Sequence, residues 1–231
     1  MYRNLMLNKN DLESLLPKNN LKNNNNVTVL YEKKIAFVRV SRVASTNIHF
    51  SLLFSLGSEN VNLTKSNKKF RTISSKFVSI INDEWLSFSL IRNPIERFKS
   101  AWWFYYSNQS KKHTENICQI YKIKEVPEID RFVEIIFNGD INLTPRHLRP
   151  QWTSYTYNNQ ILVDYIFKLE NLQKDTVKLT QILKNKGLEF KYIEHKTTTK
   201  KEQNIELSNS SIHNLKKIFE LDFDLYNLYE N

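Results

Sequence analysis

Glycine is scarce in this chain, three residues in 231, and Gly57, Gly139 and Gly187 are far apart. That excludes the glycine-rich loop with a lysine before Ser or Thr by which ATP- and GTP-cleaving enzymes cradle phosphate. Cysteine is scarcer: Cys118 is alone, no intramolecular disulfide can form, and a reducing, cytoplasmic setting is the expectation. No apolar run has the length of a signal-peptide core or a membrane span, and Met1 to Lys22 only mixes Asn, Lys, Asp and Glu with short apolar pairs. His, Cys and Asp are not grouped at metal-ligand spacing, so no metal is expected. Acidic residues fall short of basic ones, 24 against 34. The resulting net charge of +10 calls for anionic partners, whether nucleic acid, a membrane surface, a nucleotide or an acidic polysaccharide.

Hydrophobic residues make up 40% of the chain and aromatics 13%, enough for the core of one domain. Lys18 to Asn26 holds six Asn and two Lys, so residues 1–26 read as a flexible lead-in and 27–231 as the folded domain. Val27 to Tyr31 and Ile35 to Val40 read as two β-rich runs joined by a short charged turn. A small polar loop, Ser41 to Thr46, follows, and then Asn47 to Leu56 with helical apolar spacing. The same strand-loop-helix order returns in Leu86 to Ile91, Arg92-Asn93-Pro94 and an aromatic-rich helix through Tyr106, with Asn93 placed to cap it and Pro94 as its first residue. Helices are expected over Ile129–Phe137, Glu170–Leu183 and Ser208–Leu221, and a strand over Val163–Lys168. The fold class is α/β, a central parallel sheet flanked by helices.

A loop that leaves a strand and enters a helix aims backbone N–H groups and the positive helix end at one spot, a ready anion site. Arg42, Val43, Ala44, Ser45, Thr46 and Asn47 occupy such a loop and add a guanidinium, two hydroxyls and an amide. On the second unit, Arg92 ends the strand while Arg97 and Ser100 lie on the helix, so a phosphate near the helix start meets two guanidinium groups and a hydroxyl. The bland alternatives are a polar turn with a helix cap for the first loop and a surface pair with Glu96 for Arg97.

These residues carry a resemblance. Ser41-Arg42-Val43-Ala44-Ser45-Thr46-Asn47 resembles the 5′-phosphosulfate loop of the carbohydrate sulfotransferases related to the chondroitin and HNK-1 enzymes. Phe88 to Ala101, with its eight-residue step from Arg92 to Ser100, is similar to that family's 3′-phosphate motif. His147-Leu148-Arg149-Pro150-Gln151, Asp164 to Leu172 and Leu221 to Tyr226 resemble three further blocks in family order. The resemblance implies a P-loop-like sulfotransferase fold and an enzyme that moves a sulfuryl group from PAPS to a carbohydrate hydroxyl, leaving PAP. Two departures stand out: Arg42 replaces the family's usual loop lysine, and Trp152 to Tyr157 lacks the cysteines that luminal relatives carry.

The resemblance further implies that Arg42 stabilises the leaving phosphate, that Val43 to Asn47 cradle it, and that Arg92 and Ser100 hold the 3′-phosphate. A general base is needed for the acceptor, and histidine titrates in the right range. His147 is the first candidate and His49 the second, each with polar packing as its alternative role. Glu170 reads as a helix-start residue; Lys196, Thr197, Thr198 and Lys200 read either as a loop over the nucleotide or as a solvated loop. Trp102 to Tyr106 are mostly core, with a stacking face for sugar or adenine as the alternative. The expected acceptor is a glycan, an anionic one being compatible with the charge; no nucleic acid is expected as partner. The competing readings are a basic nucleic-acid-binding module and a nucleotide-binding relative that has lost catalysis.

Overall fold

The computed structural model describes residues 7–16, 25–57, 70–193 and 205–228. In chain order its elements are β1 (Leu7–Asn8), α1 (Lys9–Leu15), β2 (Asn26–Leu30), β3 (Ile35–Val38), α2 (Ser45–Ser55), β4 (Arg71–Ile73), α3 (Ser74–Phe77), β5 (Leu86–Ile91), α4 (Pro94–Tyr106), α5 (Lys111–Tyr121), α6 (Ile129–Asn138), β6 (Thr156–Tyr157), β7 (Gln160–Ile161), β8 (Tyr165–Lys168), α7 (Leu172–Lys184), α8 (Asn209–Ile218) and α9 (Glu220–Asn227). The domain divides into two compact units, one of residues 1–92, 151–196 and 227–231, the other of residues 93–150 and 197–226.

The first unit is built on a six-stranded sheet in the order β1-β8-β5-β3-β2-β4. The expected α/β fold is present, but parallel pairing is confined to the three central strands, β3 with β5 and β5 with β8. Their residues explain the position: all of Ile35–Val38 and all of Leu86–Ile91 are buried, as strands covered on both faces must be. Phe37 packs on Phe88 at 5.1 Å and Phe88 on Phe167 at 6.1 Å between ring centres. The polar residues of β5 are satisfied internally. Ser89 Oγ donates to the Val38 carbonyl at 2.7 Å, and Ser87 donates through both N–H and Oγ to Asp164 Oδ2 at 2.7 Å.

The outer strands are antiparallel: β2 and β3 form a hairpin across Tyr31–Lys34, β4 adds to β2, and β1 pairs with β8. Within the segment expected as a lead-in, Leu7–Asn8 and Lys9–Leu15 therefore belong to the sheet unit, and Leu12 is fully buried.

The second unit is helical. Asn93 caps α4 by accepting from the N–H of Ile95 and Glu96 at 3.0 and 3.2 Å, with Pro94 opening the helix, as its sequence predicts. Its core joins Phe98, Ala101, Trp102 and Tyr105 of α4 to Ile117, Phe132, Val133, Ile136, Leu215 and Phe219. Trp102 and Tyr105 are core residues, whereas Tyr106 is 41% exposed. Ser208 caps α8 by accepting from Ser211 N–H, and the expected C-terminal helix is two, α8 and α9.

Candidate functional site

Because β3, β5 and β8 run parallel, their C-terminal ends lie along one edge of the sheet, where ligands of open α/β folds bind. The loop after β3 carries Arg42 and enters α2 at Ser45. Its turn is made without glycine: Arg42 has φ 68° and Ala44 φ 53°, both left-handed, on either side of the fully buried Val43. A side chain in that region strains the backbone by about 1–2 kcal/mol, and such strain gathers where a loop is shaped for binding. The Ala44 carbonyl accepts from Asn47 N–H at 2.9 Å and Ile48 N–H at 3.4 Å. The N–H groups of Ser45 and Thr46 open the helix and, like every leading helical amide, have no intrahelical partner. Thr46 is exposed and Ser45 half-buried at this positive end of α2.

Arg92 follows β5 directly. Its guanidinium Nη1 donates to the Arg42 carbonyl at 3.3 Å, so the two strand ends that the motifs single out are in contact. Its backbone is held by Gln151, whose Oε1 accepts from Arg92 N–H at 3.0 Å and whose Nε2 donates to the Arg92 carbonyl at 2.8 Å. Lys168, in register with Ile91, puts a third cationic residue at this edge and is 3% exposed. Sequence reasoning missed both Gln151 and Lys168 as site residues. A buried lysine in a strand was the available signal for the second; the first depends on a contact across 59 positions.

His49 has a different environment from the one its place on α2 suggests. It is fully buried, and its Nδ1 is 2.8 Å from Thr28 Oγ1. Burial first, then the charges of Arg39 and Arg71, pushes its pKa from 6.5 down to about 3. A neutral ring with no exposed surface and so little basicity is a poor proton acceptor, so its packing role is the one the geometry supports.

The other two predicted residues belong to the helical unit. Ser100 is buried on α4. His147 is half-buried among Phe104, Tyr105 and His113, with the two imidazoles stacked at 5.5 Å and 18°. Ser110 Oγ lies 2.7 Å from His113 Nδ1. His113 was not singled out from the sequence.

Arg97, expected either to meet phosphate or to pair with Glu96 at the surface, does neither. It is 1% exposed, donates to the carbonyls of His147 and Arg149, and lies 5.5 Å from the Phe219 ring centre. Glu96 pairs with Lys99 at 3.0 Å instead. Lys196, Thr197, Thr198 and Lys200 lie outside the described residues.

Among the described residues no group of three or more His, Cys, Asp or Glu side chains is placed to hold a metal, and no helix is long and apolar enough to cross a membrane. No curated protein and no solved structure matches the chain. The sulfotransferase family model matches residues 25–230, from the start of β2 past the end of α9 and across the phosphate-type loop and Arg92, and the chain belongs to the sulfotransferase family.

Proposed function

We propose that the chain transfers a sulfuryl group from PAPS to a hydroxyl of a carbohydrate acceptor. The observation that carries this reading is the contact of the Arg92 guanidinium with the Arg42 carbonyl, which sets two cationic residues and the start of α2 at one sheet edge. Those groups fit a nucleotide bearing two separated phosphate groups, because each end meets its own cation.

When bound, the donor supplies the sulfuryl group and a phosphate leaving group. Arg42 and the α2 N-terminus balance the charge that gathers on that phosphate as the bond between sulfur and its oxygen breaks. Val43 to Asn47 hold the phosphate in line with the incoming hydroxyl, so positioning replaces covalent chemistry by the protein. Arg92 takes the 3′-phosphate and so prefers PAPS to donors that lack it; Ser100 enters this role from the motif alone. His147 is the proposed base, accepting the hydroxyl proton as the new bond from acceptor oxygen to sulfur forms.

The half-exposed setting of His147, against the sealed one of His49, supports that ranking. The glycan acceptor rests on the resemblance and on the net charge of +10, which suits an anionic polysaccharide. Calorimetric titration with PAP, followed by a screen of glycan acceptors with labelled PAPS, tests the reading. Saturable PAP binding and label on a glycan are expected. PAP binding without transfer to any acceptor would identify a relative that has lost catalysis. Absence of PAP binding, with salt-dependent binding of single-stranded nucleic acid, would replace the reading altogether.

A further inference from the structure

We propose that Gln151 is a positioning residue that sets the 3′-phosphate arginine: its side-chain amide fixes the backbone of Arg92 and thereby aims the guanidinium at the phosphate loop. This rests on the reading of Arg92 given above. The ladder between β3 and β5 stops at the pair Phe37 and Phe88. Beyond it, buried side-chain groups do what a neighbouring strand would. Tyr155 Oη donates to the Leu90 carbonyl at 3.0 Å, and Gln151 meets both the N–H and the carbonyl of Arg92. In an extended chain, residues two apart direct their backbone groups to the same side, so Leu90 and Arg92 are held along one flank.

Both clamping residues come from one short segment, the 3-10 turn Gln151–Ser154 and the residue after it, and both are fully buried. Burial makes the match specific. An amide offers a donor and an acceptor in one plane, whereas a carboxylate keeps only the acceptor and a thioether keeps neither. Losing a buried partner leaves a backbone group unsatisfied and frees the root of the Arg92 side chain from its contact with the Arg42 carbonyl.

The test compares Gln151→Glu and Gln151→Met with the unaltered chain by two readouts. Hydrogen exchange at the Arg92 amide should quicken by roughly tenfold or more in Gln151→Met, which removes its acceptor, and change less in Gln151→Glu, which keeps the acceptor and loses only the donor to the Arg92 carbonyl; this examines the clamp whether or not any nucleotide binds. Affinity is then measured for PAP and for AMP, which lacks the 3′-phosphate. PAP binding should weaken by about tenfold while AMP binding stays nearly constant, since only the 3′-phosphate contact depends on Arg92. Should both substitutions prevent folding, Tyr155→Phe removes only the Leu90 contact and should shift exchange and the PAP-to-AMP ratio the same way, by less. Equal weakening of PAP and AMP, or an unchanged Arg92 exchange rate in Gln151→Met, would overturn the positioning role. If the unaltered chain binds no PAP, the donor reading fails by itself, while faster exchange would still establish the clamp.

Discussion

Arg92 and Arg97 stand five positions apart in one motif, yet they do opposite things. In the sheet unit, Arg92 is half-buried and donates from one guanidinium nitrogen to the Arg42 carbonyl, which keeps its charge beside the loop that enters α2. In the helical unit, Arg97 is sealed and turned to the carbonyls of His147 and Arg149, where it holds the chain in shape. The histidines differ as well: His49 is fully buried, while His147 is half-buried among aromatic rings. Residue type therefore says little about role here. What separates a ligand group from a structural one is whether backbone carbonyls and burial have already consumed it.

The contrast can be broken most forcefully at the loop. Arg42→Ala should reduce turnover by about 10²–10³-fold with a much smaller change in PAP affinity, read from steady-state kinetics beside calorimetry, because its charge matters most as the leaving phosphate develops. An equal loss in both would make Arg42 a simple binding residue.

The two arginines of the motif should separate by kind of damage. Arg97→Ala should lower stability by at least about 2 kcal/mol in urea unfolding, since it removes a buried side chain that donates to two carbonyls. Arg92→Ala should weaken PAP binding about tenfold or more while leaving the unfolding midpoint nearly in place. Reversal of that pattern would erase the distinction.

The histidines separate by pH. His49 has a folded-state pKa near 3 against 6.5 ordinarily, so as pH falls through that window the unfolded chain takes up a proton that the folded chain refuses. Its contribution is whole above about pH 6.5 and is lost below it at up to about 1.4 kcal/mol per pH unit. His49→Gln should flatten the acid side of the stability profile by that amount without removing the acidic limb of the rate profile. His147→Ala should remove that limb from the rate profile. The smallest effect concerns strain: Ala44→Gly should raise stability by about 0.5–1 kcal/mol in the same unfolding assay, as the left-handed penalty disappears and is only partly offset by a freer unfolded chain.

Much of the sheet edge was legible beforehand because its signals are local. Continuous apolar runs at 35–38 and 86–91, a small polar loop before α2, and the Asn93-Pro94 start of α4 each need only a few neighbours to be read. The antiparallel flanks were not legible, since strand direction leaves no mark on hydrophobic pattern. Nor was α5, whose mostly polar Lys111 to Gln119 stretch buries Ile117 and packs Cys118 against the core. The burial of Arg97 and the grip of Gln151 depend on partners 50 to 59 positions away, beyond any local pattern.

The two-residue strand β1 is the outermost member of the sheet beside β8, whose C-terminal end reaches the site edge. A chain trimmed past Asn8 would present the bare flank of Tyr165 and Ile166 to solvent, and a bare flank is a template on which a second molecule can add its own strand. So short a seam would then govern whether concentrated protein stays dispersed or self-associates, although it touches none of the transfer chemistry.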